Sequence, residues 1–300
     1  MQLEGIYTPL ITPFCRNLSL DYDAYGAAID WQIDNGVHGV IVGGSTGEFH
    51  ALTTDERIEQ LYFAARRIDG RIPMIAGVND LLATRTEHLA AAARDAGASA
   101  LLVAAPPYSL PGAAELVAHC RRIDRVAGLP IILYNYPART GVDLDADFLG
   151  RAVRIENICA IKESSGSVER IHTLVQQFPE LQLSAGTEDL VLEFFAWGAR
   201  SWVSVIANFM PQAAVRLYEM CVLENDFAAG RRLMQQLLPL MLCLERGGAF
   251  LQSVKLACEL HGRPGGPVRP PLAPLGKAQQ RDVTRIVRDA GRAVDNVLAQ

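Results

Sequence analysis

The apolar run Ile158-Cys159-Ala160-Ile161 ends in Lys162, one of only three lysines (with Lys255 and Lys277) among 28 cationic side chains. An ammonium group in apolar surroundings loses solvation, so its pKa falls and the neutral amine becomes a nucleophile near neutral pH. A strand-end lysine can equally serve as the partner of a carboxylate, and the run alone does not decide between the two. Other chemically capable residues cluster at the ends of similar apolar runs. Gly43-Gly44-Ser45-Thr46-Gly47-Glu48 follows one of them, with small residues that let backbone N–H groups converge on an anion and two hydroxyls alongside. Pro106-Pro107-Tyr108, Tyr134-Asn135-Tyr136-Pro137-Ala138-Arg139-Thr140-Gly141 and Gly186-Thr187-Glu188 follow others, and Val203 lies in the last. An amine, an anion-binding loop, phenols and an arginine together suit a 2-oxo acid: the loop takes the carboxylate and the amine condenses with the ketone. The resulting iminium withdraws electrons, so a bond at the next carbon can be made or broken.

Each residue also has an ordinary reading. Gly43 to Gly47 fits the G-x-S-x-G elbow of a serine hydrolase, but an elbow turns straight into a helix, and here the helix cap is Thr53, several residues later. No lysine follows the glycines as a phosphate-binding loop requires. A strand-end tyrosine is commonly a packing residue, and an arginine in a loop a solvated charge. Glu163 follows Lys162 on a strand, so it points to the opposite face and reads as structural.

The elements that must position these groups alternate along the chain. Strand-like runs fall at Ile6–Ile11, Val40–Val42, Ile72–Ala76, Ala100–Ala104, Pro130–Tyr134, Ile158–Lys162, Leu181–Ala185 and Trp202–Val205. Helical patterns separate them, one opened by the capping-box pattern Thr53-x-x-Glu56 and another closed at Asn35-Gly36. Eight strand–helix units in about 220 residues predict an α/β fold, a (β/α)8 (TIM) barrel with its active-site groups at the C-terminal ends of the strands. An open doubly wound sheet would usually carry a dinucleotide fingerprint after its first strand, and Thr8-Pro9-Leu10 is not one. After Asn225 the alternation stops and three helices are expected, at about Phe227–Glu245, Ala249–His261 and Lys277–Leu298. The domains therefore read as 1–224, a barrel carrying the site, and 225–300, a C-terminal helical extension. The first of those helices is apolar over much of its circumference, so it must be covered on several sides; the barrel plus a neighbouring subunit would do that, with barrel contact alone as the alternative.

The 300 residues carry a formal charge of −5, which gives no basic footprint for nucleic acid or an anionic membrane. Six scattered cysteines without a C-x-x-C pair read as reduced core residues, and six histidines lack zinc-binding spacing, so no metal is expected. Met1-Gln2-Leu3-Glu4 opens with an acid rather than a basic leader, and no apolar run could span a bilayer. A cytoplasmic protein is expected.

On three motifs, Gly44-Ser45-Thr46-Gly47-Glu48, Tyr134-Asn135-Tyr136-Pro137-x-Arg139-Thr140-Gly141 and Ile161-Lys162-Glu163-Ser164-Ser165-Gly166, the chain resembles the dihydrodipicolinate synthase / N-acetylneuraminate lyase family of Schiff-base class I aldolases. The resemblance covers nearly the whole chain. It implies a barrel with a C-terminal helical domain, a homotetramer or dimer, no cofactor, and a small 2-oxo acid such as pyruvate as substrate. By motif, Lys162 matches the Schiff-base lysine and Tyr134 the proton-shuttling tyrosine. Thr46, with Gly47 beside it, matches the pyruvate-carboxylate binder. Ser45 stands where synthases usually have threonine and lyases serine. Tyr108 matches a relay tyrosine that reaches across from a neighbouring subunit, Arg139 the synthases' arginine for the second substrate's carboxylate, and Gly186 and Val203 the pyruvate-pocket lining. The stretches from Glu193 to Trp202 and Gly266 to Pro271 look like a branch that includes 1-pyrroline-4-hydroxy-2-carboxylate deaminases. That activity, a 2-keto-3-deoxy sugar acid aldolase and a non-catalytic oxo-acid-binding paralogue remain the alternatives to a synthase-type lyase.

Overall fold

Strands this short and this apolar on both faces must be covered on both faces, and helices with one greasy stripe do the covering. The computed structural model describes residues 1–298. Its strands are β1 (Gly5–Pro9), β2 (Gly39–Val42), β3 (Met74–Gly77), β4 (Ala100–Ala104), β5 (Ile131–Asn135), β6 (Ile158–Glu163), β7 (Gln182–Ala185) and β8 (Ser201–Val203). Neighbours pair in parallel and β8 returns to β1, closing the barrel. Outside it run α1 (Tyr22–Asp34), α2 (Thr54–Ile68), α3 (Ala83–Asp95), α4 (Ala113–Ala127), α5 (Pro137–Thr140) and α6 (Ala146–Ala152). They are followed by α7 (Val168–Gln177), α8 (Val191–Ala196), α9 (Pro211–Tyr218), α10 (Phe227–Arg246), α11 (Phe250–Leu260) and α12 (Lys277–Leu298).

Local signals set most boundaries. Asp21 caps α1 by accepting from the Ala24 amide, and the capping box of Thr53 and Glu56 opens α2. Most strand ends shift by a residue or two from the sequence expectation, as where β1 stops at Pro9 rather than Ile11, and two of the shifts have a local cause. The third strand begins after Pro73, which has no N–H to give a ladder, rather than at Ile72. The eighth stops at Val203, because Val205 turns into the right-handed helical region (φ −75°, ψ −36°) and starts a short 3-10 turn over Ile206–Asn208. The helix after Pro211 ends at Tyr218 and passes into a π turn over Glu219–Leu223 that no pattern foretold.

Alternation along each strand divides the core in two. Tyr7, Ile41, Ile75, Leu102, Ile132, Tyr134, Ala160 and Val203 fill the barrel interior, while Val40, Ala76, Leu101, Ile131 and Ile161 face the helices. At β5–β6 the register slips by one residue: Ile131 pairs with Ile158, but Ile132 with Ala160. This bulge at Cys159 leaves Tyr134 opposite Lys162 and Asn135 opposite Glu163.

The greasy α10 is covered within the chain. Its Leu233, Leu237, Leu240, Met241 and Leu244 are at most 1 % exposed, in one continuous cluster with Phe194 and Phe195 of α8, Leu217 of α9, Val254 of α11 and Val287 of α12. No neighbouring subunit is needed for that burial, because α11, α12 and the α8–α9 side of the barrel pack around the helix.

Candidate active site

The C-terminal mouth of the barrel encloses a cavity of about 250 Å³. Lys162, the fifth residue of β6, projects into it and is only 7 % exposed. Among the described residues Lys162 has no carboxylate within ion-pair distance; its Nζ lies 4.1 Å from the centre of the Tyr134 ring. Burial pulls its pKa down from 10.5 to about 8, against the opposing pull of Glu245, Tyr136 and Glu188. At pH 7 that leaves roughly 10 % of the amine neutral, some 300-fold more than an ordinary lysine.

Lys255 shows the other fate of a buried lysine. Its Nζ lies 2.5 Å from Glu48 Oε1, donates to the Pro267 carbonyl at 2.7 Å and sits over the Phe14 ring. Lys255 is a cross-link between α11 and the loop after β2. Glu163 is likewise structural. It faces away from Lys162, accepts from Asn135 Nδ2 at 2.8 Å and from the Ser165 amide at 2.6 Å, and pairs with Arg170.

Tyr134 is buried beside Lys162. Burial raises its phenol pKa, and the neighbouring Ser45 and Ser164 hydroxyls work against that rise, so it stays protonated and able to donate. In the loop after β2, the Gly47 amide bonds to the Gly44 carbonyl and the Glu48 amide to the Ser45 carbonyl. Among the described residues the amides of Ser45 and Thr46 find no carbonyl, and both side chains line the cavity. The loop is braced from below: Thr12 Oγ1 donates to the Gly47 carbonyl, and Gln60 donates to Thr12. It also packs on β3 with no room to spare, since a Cβ added at Gly77 would lie 2.5 Å from the Gly43 carbonyl oxygen.

Arg139 and Gly186 line the cavity too. Three residues singled out from sequence do not. Gly47 turns its Cα side toward the Leu10 carbonyl. Val203 packs in the barrel interior one layer down, and Val205, beyond the early end of β8, takes the lining position. Tyr108 has positive φ (74°), is 94 % exposed and is not among the residues lining the cavity of its own chain.

Sequence reasoning missed His50, Asn79, Tyr136, Thr187, Phe250, Leu251 and Glu245. Tyr136 and Thr187 lie inside motifs already noticed. Glu245 could not be found from pattern, because it sits in the last turn of the apolar α10 and only the packing of that helix brings it to the mouth. Its Oε1 accepts from the Glu188 amide at 3.2 Å. Among the described residues no group of three or more His, Cys, Asp or Glu side chains is gathered to hold a metal, and no helix is long and apolar enough to cross a membrane.

Residues 2–290 match the sequence profile of the Dihydrodipicolinate synthetase family. The chain is 34 % identical to a 4-hydroxy-tetrahydrodipicolinate synthase of Nitrobacter hamburgensis, across 96 % of both chains. It superimposes with a TM-score of 0.93 on the 4-hydroxy-tetrahydrodipicolinate synthase of Methylacidiphilum fumariolicum, at 32 % identity and 99 % coverage of each chain. A TM-score of 0.90 relates it to an E. coli K12 prophage protein of the dihydrodipicolinic acid synthase family, solved in complex with pyruvate, at 30 % identity over 97 % of this chain and 99 % of that one.

Proposed function

Because this chain belongs to the dihydrodipicolinate synthetase family, we propose that it is a lysine Schiff-base lyase acting on pyruvate or a related small 2-oxo acid, in the manner of a 4-hydroxy-tetrahydrodipicolinate synthase. The single observation that carries the reading is a buried Lys162, without an ion-pair partner among the described residues, at a cavity sized for a small acid. Lys162 Nζ adds to the ketone carbon, the carbinolamine loses water, and the iminium then gives up a C3 proton to become an enamine nucleophile. Tyr134 is the group that shuttles protons in these steps, its burial keeping the phenol neutral between transfers. The open amides and hydroxyls of Ser45 and Thr46 take the carboxylate, with Gly47 fixing the turn and Gly186 and Val205 lining the pocket around it. Arg139, close to the Tyr136 ring, is the cation for a carboxylate on the second substrate.

The exposure of Tyr108, with exposed Leu110, Leu81 and Leu82, supports an oligomer, a dimer or tetramer, in which Tyr108 serves a neighbouring site. Residues 1–224 are the unit that bears the nucleophile and 225–300 the helical domain that roofs it. The expected compartment is the cytoplasm. The test is borohydride reduction with pyruvate present, followed by mass mapping. The reading expects an adduct on Lys162 in wild type and none in Lys162→Ala; no adduct, or one on Lys255, overturns it.

A further inference from the structure

The Lys162 side of the cavity is equipped for the 2-oxo acid, yet another set of polar groups stands in the same mouth unexplained. Glu245 reaches it from the last turn of α10. Directly behind is Glu188, 1 % exposed, whose Oε1 accepts from the Val205 amide and whose Oε2 has no partner among the described residues. Thr187, 7 % exposed, lines the cavity with its Oγ1 also without a partner among the described residues. Buried polar atoms left without partners are uncommon in folded proteins and need a reason. A purely structural acceptor for the Glu188 amide could be a neutral amide; a half-buried carboxyl placed beside the buried carboxyl of Glu188 is an expensive way to fill that role.

We infer that Glu245 is the acid–base residue for the second substrate, an aldehyde, and that the Thr187 hydroxyl holds the aldehyde's oxygen beside it. The inference rests on the Schiff-base reading above. In the addition step the enamine carbon forms a bond to the aldehyde carbon. The C=O electron pair moves onto oxygen, and that oxygen takes the proton of the Glu245 carboxyl. The product is a hydroxyl and a Glu245 carboxylate, with the iminium restored on Lys162. In the reverse direction the carboxylate removes the hydroxyl proton as the C–C bond breaks, so no other reactant is required.

The charged and titratable groups facing Glu245 are Glu188, Asp189, Lys162, Arg139 and the Tyr134 phenol. Burial raises the Glu245 pKa, and Glu188, raised by burial to about 8, is its neighbour. A half-buried carboxyl beside a fully buried one does not ionise independently of it, so the pair retains a proton at neutral pH. A carboxyl there also disfavours a second substrate that brings another carboxylate to this wall and favours one whose carboxylate reaches Arg139.

The experiment compares wild type with Glu245→Gln, whose side-chain oxygen can still accept from the Glu188 amide, and with Glu245→Asp. Two readouts are taken: the borohydride-trapped pyruvate adduct, and steady-state turnover of pyruvate with glycolaldehyde, glyceraldehyde and aspartate semialdehyde. The expected result is an undiminished Lys162 adduct in Glu245→Gln, with kcat lowered on the order of 10²–10⁴-fold and KM little changed. Glu245→Asp should recover part of kcat, because it restores the acid. Turnover by Glu245→Gln within about threefold of wild type overturns the inference and leaves the Schiff-base reading intact. So does a wild-type protein that forms the adduct but makes no product from any of the three aldehydes. A wild type that forms no adduct overturns both.

Discussion

Replacing Lys255 with methionine tests how the C-terminal helices hold the anion-binding loop. The ammonium and the Glu48 carboxylate are 3 % and 0 % exposed, with Nζ 2.5 Å from Oε1. Methionine keeps most of the stem volume but strands Glu48. Its remaining polar contact is the Arg269 amide, 3.2 Å from Oε2. Removing one partner of such a pair costs about 3–5 kcal/mol, because the other charge stays buried and uncompensated. For a chain of this size that is a fall in Tm on the order of 5–8 °C. The double variant Glu48→Gln/Lys255→Met removes the stranded charge and should recover most of the loss. Glu48 itself is in the left-handed region (φ 56°), a strain that glutamine shares, so the backbone contribution cancels between the two variants. The assay is thermal unfolding by circular dichroism at one scan rate, paired with pyruvate trapping on each variant. A single variant within about 1 kcal/mol of wild type, or a double variant no more stable than the single, refutes the assignment of Lys255 as a structural charge partner. A trapped adduct that disappears with Lys255 while the fold persists refutes the assignment of Lys162 as nucleophile.

Two further outcomes follow from the same geometry. Lys162 titrates near pH 8 and reacts as the neutral amine, so initial adduct formation should be slow at pH 6, rise about tenfold per pH unit toward 8 and level off above it. A rise that continues past pH 10 would mean that burial does not depress this amine. Gly77→Ala places a Cβ 2.5 Å from the Gly43 carbonyl oxygen and 3.1 Å from the Gly44 amide, backbone atoms that cannot swing aside. It should cost about 1–3 kcal/mol of stability and weaken pyruvate binding by on the order of tenfold, measured by calorimetry. Unchanged affinity would show that the loop after β2 does not hold the carboxylate.

Much of this molecule is written locally. Apolar runs at regular spacing, Asp21 and Thr53 as caps and Gly36 as a stop determine the strands and helices, and closure of eight parallel units into a barrel follows from their number. Strand alternation was enough to turn Glu163 away from Lys162, and the motif residues Ser45, Thr46, Tyr134, Arg139 and Gly186 do meet at one mouth. What the sequence left undecided are the facts that depend on contacts between distant segments. Lys162 and Lys255 both follow apolar residues, and only packing gives one a carboxylate and leaves the other bare. The bulge at Cys159 sets Lys162 opposite Tyr134; without that one-residue slip, continued pairing from Ile131 and Ile158 would set Asn135 opposite it instead. The early end of β8 moves the lining position from Val203 to Val205, and the docking of α10 brings Glu245 about 80 residues in sequence from Lys162 into the same cavity. Residue types and their periodicity determined which chemistry the chain can carry. Register and long-range burial, which no local pattern encodes, decided which lysine carries it and which groups surround it.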